Sequence, residues 1–316
     1  MKDSLRAGGW GYYPIDPKFK GDDFRKDVRP MFYKDTFDFS KSYVLVGVEP
    51  DRMFKPDKTP EQLDFFHWDN SMQPWLRHIS PANSTGHKLW SRLTYRKFCM
   101  DPKSPALESH RQRINRRLQQ DSNGAVRDIA ELWGGTRPTE LPTRKRALVC
   151  ASSQRNHREF FNEDQAHWIH RVTNQLQKQG YEVILRHKVG INLRKTNETT
   201  DQIRRDNCDL VVANYSACAS EAVVTGVPVV TTTDQNPARS VSTPWEDFCQ
   251  GIIHKYTVED IEHWVTRICA YTYHREELNS LSWIDVHPEA GHLREKRNES
   301  REDMGANRTN PCKWCS

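Results

Sequence analysis

The stretch Cys208 to Thr232, CDLVVANYSACASEAVVTGVPVVTT, decides how this chain is read. Residues 209–213 form a short, Val-rich apolar run of the kind that suits a strand covered on both faces. A polar turn, Asn214-Tyr215-Ser216, follows, and the small residues Ala217, Ala219, Ser220 and Ala222 let a helix over 216–225 lie close to a sheet. Gly226 stops that helix and Pro228 opens a strand over 228–232. Strand, helix and strand in tight succession form the repeating unit of a parallel sheet. The start of such a helix offers unbonded amides and the positive end of a dipole at the carboxyl edge of the strand, where phosphates settle in open α/β sheets. Glu221 lies one turn into the helix, where a carboxylate can accept hydrogen bonds from ribose hydroxyls.

The same alternation extends outward. Residues 147–151 read as a buried strand, and Glu163 to Gln179 as an amphipathic helix with Trp168, Ile169, Val172 and Leu176 on one face and Gly180 as its stop. Residues 181–186 read as a strand and Thr199 to Asp206 as a short helix. A long closing helix is expected over Val258 to Leu278, with Ile261, Trp264, Val265, Ile268 and Tyr271 at helical spacing. Gly134 to Arg146, with its glycines and prolines, reads as a linker.

The amino-terminal part is rich in aromatics and prolines, with strands expected at 42–48 and 64–68. A helix is expected from Ser104 to Gln120, with Ser104 as N-cap and Pro105 in the first turn. Arg111, Arg113, Arg116 and Arg117 cluster on it; the plain reading is a solvated face, the sharper one a contact with acceptor phosphates. The expected fold class is α/β: a Rossmann-like parallel sheet flanked by helices over 139–284, a smaller irregular α/β domain over 1–138, and a charged, disordered tail over 285–316.

Composition narrows the function classes. A net charge of +5 with the signs interspersed argues against a dedicated polyanion coat but leaves room for an anionic ligand. No run approaches the roughly 18 apolar residues that cross a bilayer, and Met1 to Trp10 lacks the apolar stretch of a signal peptide, so no membrane partner and a cytoplasmic location are expected. Among the 8 cysteines, Cys150, Cys208, Cys218 and Cys269 sit in or beside apolar segments, where free thiols pack as small hydrophobes. Cys312 and Cys315 make a single C-x-x-C that His287 and His292 would have to complete. Half a site does not justify assigning a metal. No Walker loop, H-E-x-x-H or G-x-S-x-G is present.

Three groups of residues carry a resemblance: Ser152-Ser153, then Leu185-Arg186-His187-Lys188, then Asn214-Tyr215-Ser216 with Glu221 and the Gly226 to Val230 continuation. In that order they resemble the donor-side domain of GT-B-type glycosyltransferases and the related nucleotide-sugar epimerases, and more narrowly a group of phage-encoded GT-B-like proteins. The likeness covers about Ala147 to Tyr273. It implies that Ser152, Ser153 and Arg155 form one phosphate-facing loop and Arg186 and Lys188 a second. Asn214, Tyr215, Ser216, Ser220 and Glu221 would meet the diphosphate and ribose, and Arg239 the leaving diphosphate. It further implies a GT-B-like fold, a nucleotide-sugar as donor substrate with no separate cofactor, and a host-cytoplasmic setting.

The amino-terminal part departs from that pattern, because no glycine-rich turn follows either of its expected strands. Within it, Asp69 at a strand end is the leading candidate for a catalytic base, with His67 second. The expected activity is transfer of a hexosyl group from a nucleotide-sugar to an acceptor hydroxyl, with a modified base in phage DNA as one acceptor. The alternative is a non-catalytic nucleotide- or nucleic-acid-binding protein built on a degenerate GT-B-like fold.

Overall fold

Apolar runs at the centre of the chain line up in one parallel sheet, whose inner strands are short and too evenly apolar to be stable with either face in water. The structure is a computed structural model describing residues 42–46, 64–70, 90–95, 106–154, 157, 163–186, 198–280, 282–296 and 298. Three strands open the described chain: β1 (Ser42–Val46), β2 (Asp64–Asn70) and β3 (Trp90–Tyr95). Helix α1 (Glu108–Asp121) and a 3-10 turn (Ile129–Trp133) lead into the parallel sheet. That sheet is made of β4 (Arg146–Cys150), β5 (Glu182–Leu185), β6 (Leu210–Ala213), β7 (Val229–Thr231) and the two-residue β8 (Thr243–Pro244). Its helices are α2 (Gln165–Lys178), α3 (Glu198–Arg205), α4 (Cys218–Val224), α5 (Trp245–Cys249) and α6 (Val258–Cys269).

The strands stand in the order β5-β4-β6-β7-β8, every neighbouring pair parallel. This is an α/β fold of Rossmann-like type, a five-stranded parallel sheet flanked by helices. Side chains alternate across it with period two. Ala147, Val149, Leu210, Val212 and Val230 pack on one face with Trp168, Val172 and Leu176 of α2 and with Phe248. Leu148, Cys150, Val211, Ala213 and Val229 pack on the other with α4, α6, and Ile114 and Leu118 of α1. The small residues of α4 serve the purpose the sequence suggests, since Ala219 and Ala222 are fully buried against the sheet.

The first strand of this sheet, β4, lies inside it. The second, β5, flanks β4 on one side, and the third, β6, on the other. The direction of winding therefore reverses between β4 and β6, and the carboxyl ends of those two strands are where open α/β sheets form their ligand crevice.

A second sheet has the order β1-β2-β3-β9, in which β9 is Thr272–His274. β1 runs parallel to β2, and β2, β3 and β9 are antiparallel. The long helix expected over Val258 to Leu278 is thus divided. α6 ends at Cys269, Leu93 N–H donates to Tyr271 O at 3.0 Å, and residues 272–274 join β3 as a strand before α7 (Arg275–Asn279) begins. The apolar spacing of this region serves two elements, and pairing with an open sheet edge outweighs its helical continuation.

Two further expectations are modified. α1 begins at Glu108 after an N-cap at Leu107 that makes no side-chain bond, while the expected start at Ser104 and Pro105 lies outside the described residues. The linker over 134–146 is held to the parallel-sheet region, through Arg137 N–H to Val224 O at 3.3 Å, Thr139 N–H to Tyr256 O at 2.8 Å and Glu140 N–H to Gly226 O at 3.0 Å.

By backbone contacts the chain divides into residues 14–274 and a smaller unit holding 1–13 and 275–316. The described part of the smaller unit contains α7 and α8 (Trp283–Val286), and residues 291–296 are helical. The beginning of the expected disordered tail is therefore ordered. His287 is fully buried, its ring meets Trp283 edge-on at 5.9 Å, and Arg294 Nη1 donates to Ile284 O and His287 O at 2.9 and 3.0 Å. Cys312 and Cys315 lie outside the described residues.

Gly226, at φ 81°, offers a test of how the linker is seated, because an added Cβ would stand 2.7 Å from Pro138 O. Gly134, at φ 78°, would meet nothing within 4 Å. Gly226→Ala should therefore lower stability by more than about 2 kcal/mol, whereas Gly134→Ala costs only the conformational penalty of about 1 kcal/mol. Urea midpoints of the two variants check the difference; equal losses would disprove the backbone clash.

Candidate functional site

The carboxyl edge of the parallel sheet collects most of the residues singled out from the sequence. Ser152 and Ser153 follow β4, Arg186 follows β5, Asn214 to Ser216 follow β6, and Arg239 lies beyond β7. The crevice between β4 and β6 is bridged at its floor by Asn214, which is 1% exposed. Its Oδ1 accepts from Ser152 N–H at 3.1 Å and from Ser152 Oγ at 2.7 Å. A backbone amide can only donate, so the carbonyl end of the Asn214 amide faces Ser152 and its Nδ2 must donate to His157 Nε2, at 2.9 Å. His157 is therefore a neutral imidazole with its proton on Nδ1. Burial holds its pKa below the usual 6.5, and the nearby Glu163 and Asp164 only partly offset this.

This network is anchored from both sides. Asn236 Nδ2 donates to Asn214 O at 2.6 Å, so the loop after β7 is tied to the loop after β6. The His157 ring lies 5.2 Å from that of Trp168, whose Nε1 donates to Thr232 Oγ1 at 3.0 Å. Ser152, at 6% exposure, thus belongs to the wall of the crevice, while Ser153, Ser216, Arg186, Glu221 and Arg239 remain half-buried at its rim.

The rim residues already have internal tasks. Ser216 Oγ accepts from Cys218 N–H at 3.3 Å, which satisfies one amide at the start of α4. Glu221 Oε2 accepts from Thr199 N–H at 3.2 Å and so caps the first turn of α3. Arg239 Nη1 donates to Thr231 O and Oγ1, both at 3.2 Å, and its Nη2 pairs at 2.9 Å with Asp234, whose side chain is 86% exposed. Arg186 N–H donates to Val149 O at 3.0 Å, and its guanidinium is close enough to Cys150 and Cys218 to act on both thiols electrostatically. Both thiols are buried in the same core cluster on one face of the sheet. The Cys150 thiol is pushed well up by its bond with Cys218 and by burial, and so stays protonated. Ser220 is fully buried and its hydroxyl has no hydrogen-bond partner among the described residues.

Arg155 and Lys188 lie outside the described residues. Asp69 and His67 stand on β2, where the register sets Asp69 opposite Arg92 and His67 opposite Thr94. Sequence reasoning missed Arg92 itself, which is 1% exposed, donates through Nη1 to the Tyr215 hydroxyl and lies 5.6 Å over the Tyr215 ring. The link carries the β2–β3 sheet to the loop after β6. The available signal was an arginine inside an otherwise strand-like run, WSRLTY. His157 and Asn236 were also missed, and nothing in their local sequence marks them.

The basic face of α1 is largely turned inward. Arg111 bonds Asp128 at 2.7 Å and Glu262, and although burial opposes its charge these two carboxylates raise its pKa further. Arg113 donates to Cys269 O and Thr272 O at 2.9 and 2.6 Å with its guanidinium 4.6 Å over the Tyr273 ring. Arg117 pairs with Asp121 at 3.3 Å, and Arg116 is exposed.

No protein-family description matches the chain, and no curated protein matches it. Among solved structures, the chain is similar to Thermosulfurimonas dismutans KpsC, a beta Kdo 2,4 transferase, at 12% sequence identity and a TM-score of 0.41 over 73% of this chain and 80% of that one. Among the described residues no helix is long and apolar enough to cross a membrane, and no group of His, Cys, Asp and Glu is arranged to hold a metal.

Two measurements test the crevice. The pKa of His157 is depressed by folding, as is that of His110, so the unfolded chain takes up protons more readily below about pH 6.5. Stability should be at its full value above that pH and decline as the pH falls through the histidine range; His157→Gln should flatten the decline in urea midpoints between pH 7.5 and 5.5. Ser220→Ala should leave stability unchanged or raise it by about 1 kcal/mol, since it removes an unmet buried hydroxyl. A loss above that size would mean that the hydroxyl has a partner.

Proposed function

We propose that this protein is a sugar transferase that uses a nucleotide-sugar donor, held at the carboxyl edge of the parallel sheet. The observation supporting this most directly is the strand order, which reverses between β4 and β6 with Arg186, Ser153, Ser216 and Arg239 in the segments that follow β5, β4, β6 and β7. In an open α/β sheet that is where a phosphorylated ligand finds amides and cations together. Arg186 and Arg239 meet the diphosphate, with Arg155 and Lys188 as further cations from the same two loops and Glu221 at the ribose. Arg239 exchanges Asp234, a largely exposed partner, for the phosphate, and an exposed ion pair holds it by only about 0–1 kcal/mol.

In the reaction, the acceptor hydroxyl oxygen bonds to the anomeric carbon as the bond from that carbon to the diphosphate oxygen breaks. The acceptor proton passes to a base, Asp69 first and His67 second, and the negative charge gathering on the leaving diphosphate is stabilised by Arg186 and Arg239. Asp69 is the register partner of Arg92, whose side chain reaches Tyr215 beside the crevice. That connection is what brings β2 into this reading. A modified base in DNA is one acceptor class, and Arg116 is the α1 arginine left exposed to meet its backbone.

A second reading, a protein that binds a nucleotide without transferring sugar, is favoured by the internal bonds that already occupy Ser152, Asn214 and Glu221. A panel of nucleotide-sugars, assayed by melting temperature and by sugar release, separates the two. For the transferase, one donor at about 100 times its Kd should raise the melting temperature by roughly 5–10 °C and be slowly hydrolysed. Arg186→Ala and Arg239→Ala should abolish both effects. A shift without sugar release supports the binding protein, and no response to any nucleotide-sugar overturns both readings.

A further inference from the structure

A cavity of about 300 Å³ lies at the opposite, amino-terminal edge of the parallel sheet. Its walls come from elements remote in sequence. Trp133 ends the 3-10 turn, Arg137 belongs to the segment seated on the sheet, and Arg144 immediately precedes β4. Arg204 lies in the last turn of α3, while Ile203, Cys208 and Val227 also line the cavity. The length of β6, Leu210–Ala213, separates it from the carboxyl edge of the sheet by roughly 13 Å.

Three arginines therefore line one space, and among the described residues none of them is paired with a carboxylate; Arg144 Nη1 donates to the neutral Asn207 Oδ1 at 3.2 Å. Several carboxylates nearby in the chain are engaged elsewhere, while Glu140 and Asp201 are exposed to solvent. Asp209 accepts from the amides of Thr143, Arg144 and Arg146, Asp206 pairs with Arg205, Glu131 accepts from Arg127 N–H, and Glu262 bonds Arg111 and Thr136. The Cys208 thiol is pushed up to about 11 by burial, so it contributes no negative charge at neutral pH. Three like charges around one concavity repel each other and make the space positive overall. Arginine is moreover the side chain whose flat fork of donors suits phosphate oxygens. The volume lies at the lower limit for small-molecule pockets, and Trp133 gives it an aromatic wall.

We propose that this cavity is a second anion-binding site, distinct from the donor crevice, that takes a small phosphate-bearing ligand of the size of pyrophosphate or a nucleoside monophosphate, held by Arg137, Arg144 and Arg204. The proposal is independent of the transferase reading, because its residues and its edge of the sheet are different.

The test uses the full chain labelled with 5-fluorotryptophan, with the Trp133 fluorine resonance assigned by its loss in Trp133→Phe. Inorganic pyrophosphate and adenosine monophosphate are titrated separately. Pyrophosphate should move the Trp133 resonance, and each of Arg137→Ala, Arg144→Ala and Arg204→Ala should weaken that response about tenfold. Arg186→Ala should leave it unchanged, and the melting temperature of each variant verifies folding. Tighter binding of the monophosphate than of pyrophosphate would identify the ligand as a nucleotide stacked on Trp133. A Trp133 resonance that stays fixed at millimolar pyrophosphate overturns the proposal, as does one that moves equally in all three arginine variants or only when Arg186 is intact.

Discussion

One amide side chain, that of Asn214, holds the carboxyl edge of the parallel sheet together. The β4 and β6 loops diverge there because the sheet winds in opposite directions from that point, and divergent loops leave buried polar backbone that must be satisfied. Asn214 spans the gap by accepting twice from Ser152 and donating to His157, while its own carbonyl receives Asn236. The three segments that follow β4, β6 and β7 thereby become one surface. The donor and acceptor inventory also sets the imidazole as neutral, so a single orientation of the amide satisfies the whole network.

This clasp determines what the rim can offer. Ser152 and Asn214 are bonded inward, which leaves the half-buried Arg186, Arg239, Ser153 and Ser216 around a rigid floor. In the transferase reading proposed above, such a floor would suit electrostatic stabilisation of a leaving group, because preformed charges need no reorganisation as the reaction proceeds. Arg92 extends the same construction to the other sheet. Its buried guanidinium meets both the hydroxyl and the face of Tyr215, so the position of β3 and that of the β6 loop are coupled through one residue.

The centre of the parallel sheet was legible in the sequence because β6 and β7 fall within runs, LVVA and VVT, that are buried on both faces and admit few other environments. The amino-terminal sheet was less so. β3 carries Arg92 where a buried strand would show an apolar residue, and a pattern reader cannot know that a tyrosine more than a hundred positions away will accept its charge-bearing donor. The division of the expected helix over 258–278 failed to show for a related reason, since Tyr271 has the right spacing for α6 and its backbone also serves β3. The arginines of α1 look like a solvated face until Asp128, Glu262 and the carbonyls of Cys269 and Thr272 are brought under them. Of the site, the loops that supply it were readable, but the network linking Ser152, Asn214, His157 and Asn236 was not, because it depends on contacts between residues far apart in sequence.

The position of β9 bears on how the protein is made. Trp90 pairs with His274, so the sheet that begins with the first described strands lacks its last member until residue 274 has been synthesised. During translation, the outer edge of β3 remains open while the intervening parallel sheet, built from closer contacts, is able to assemble first. An unpaired strand edge is a template for association with another chain. Slow elongation or premature termination before Thr272 would therefore expose nascent chains to aggregation at that edge, and a chaperone that shields extended segments would be of most use to this protein before its final strand emerges from the ribosome.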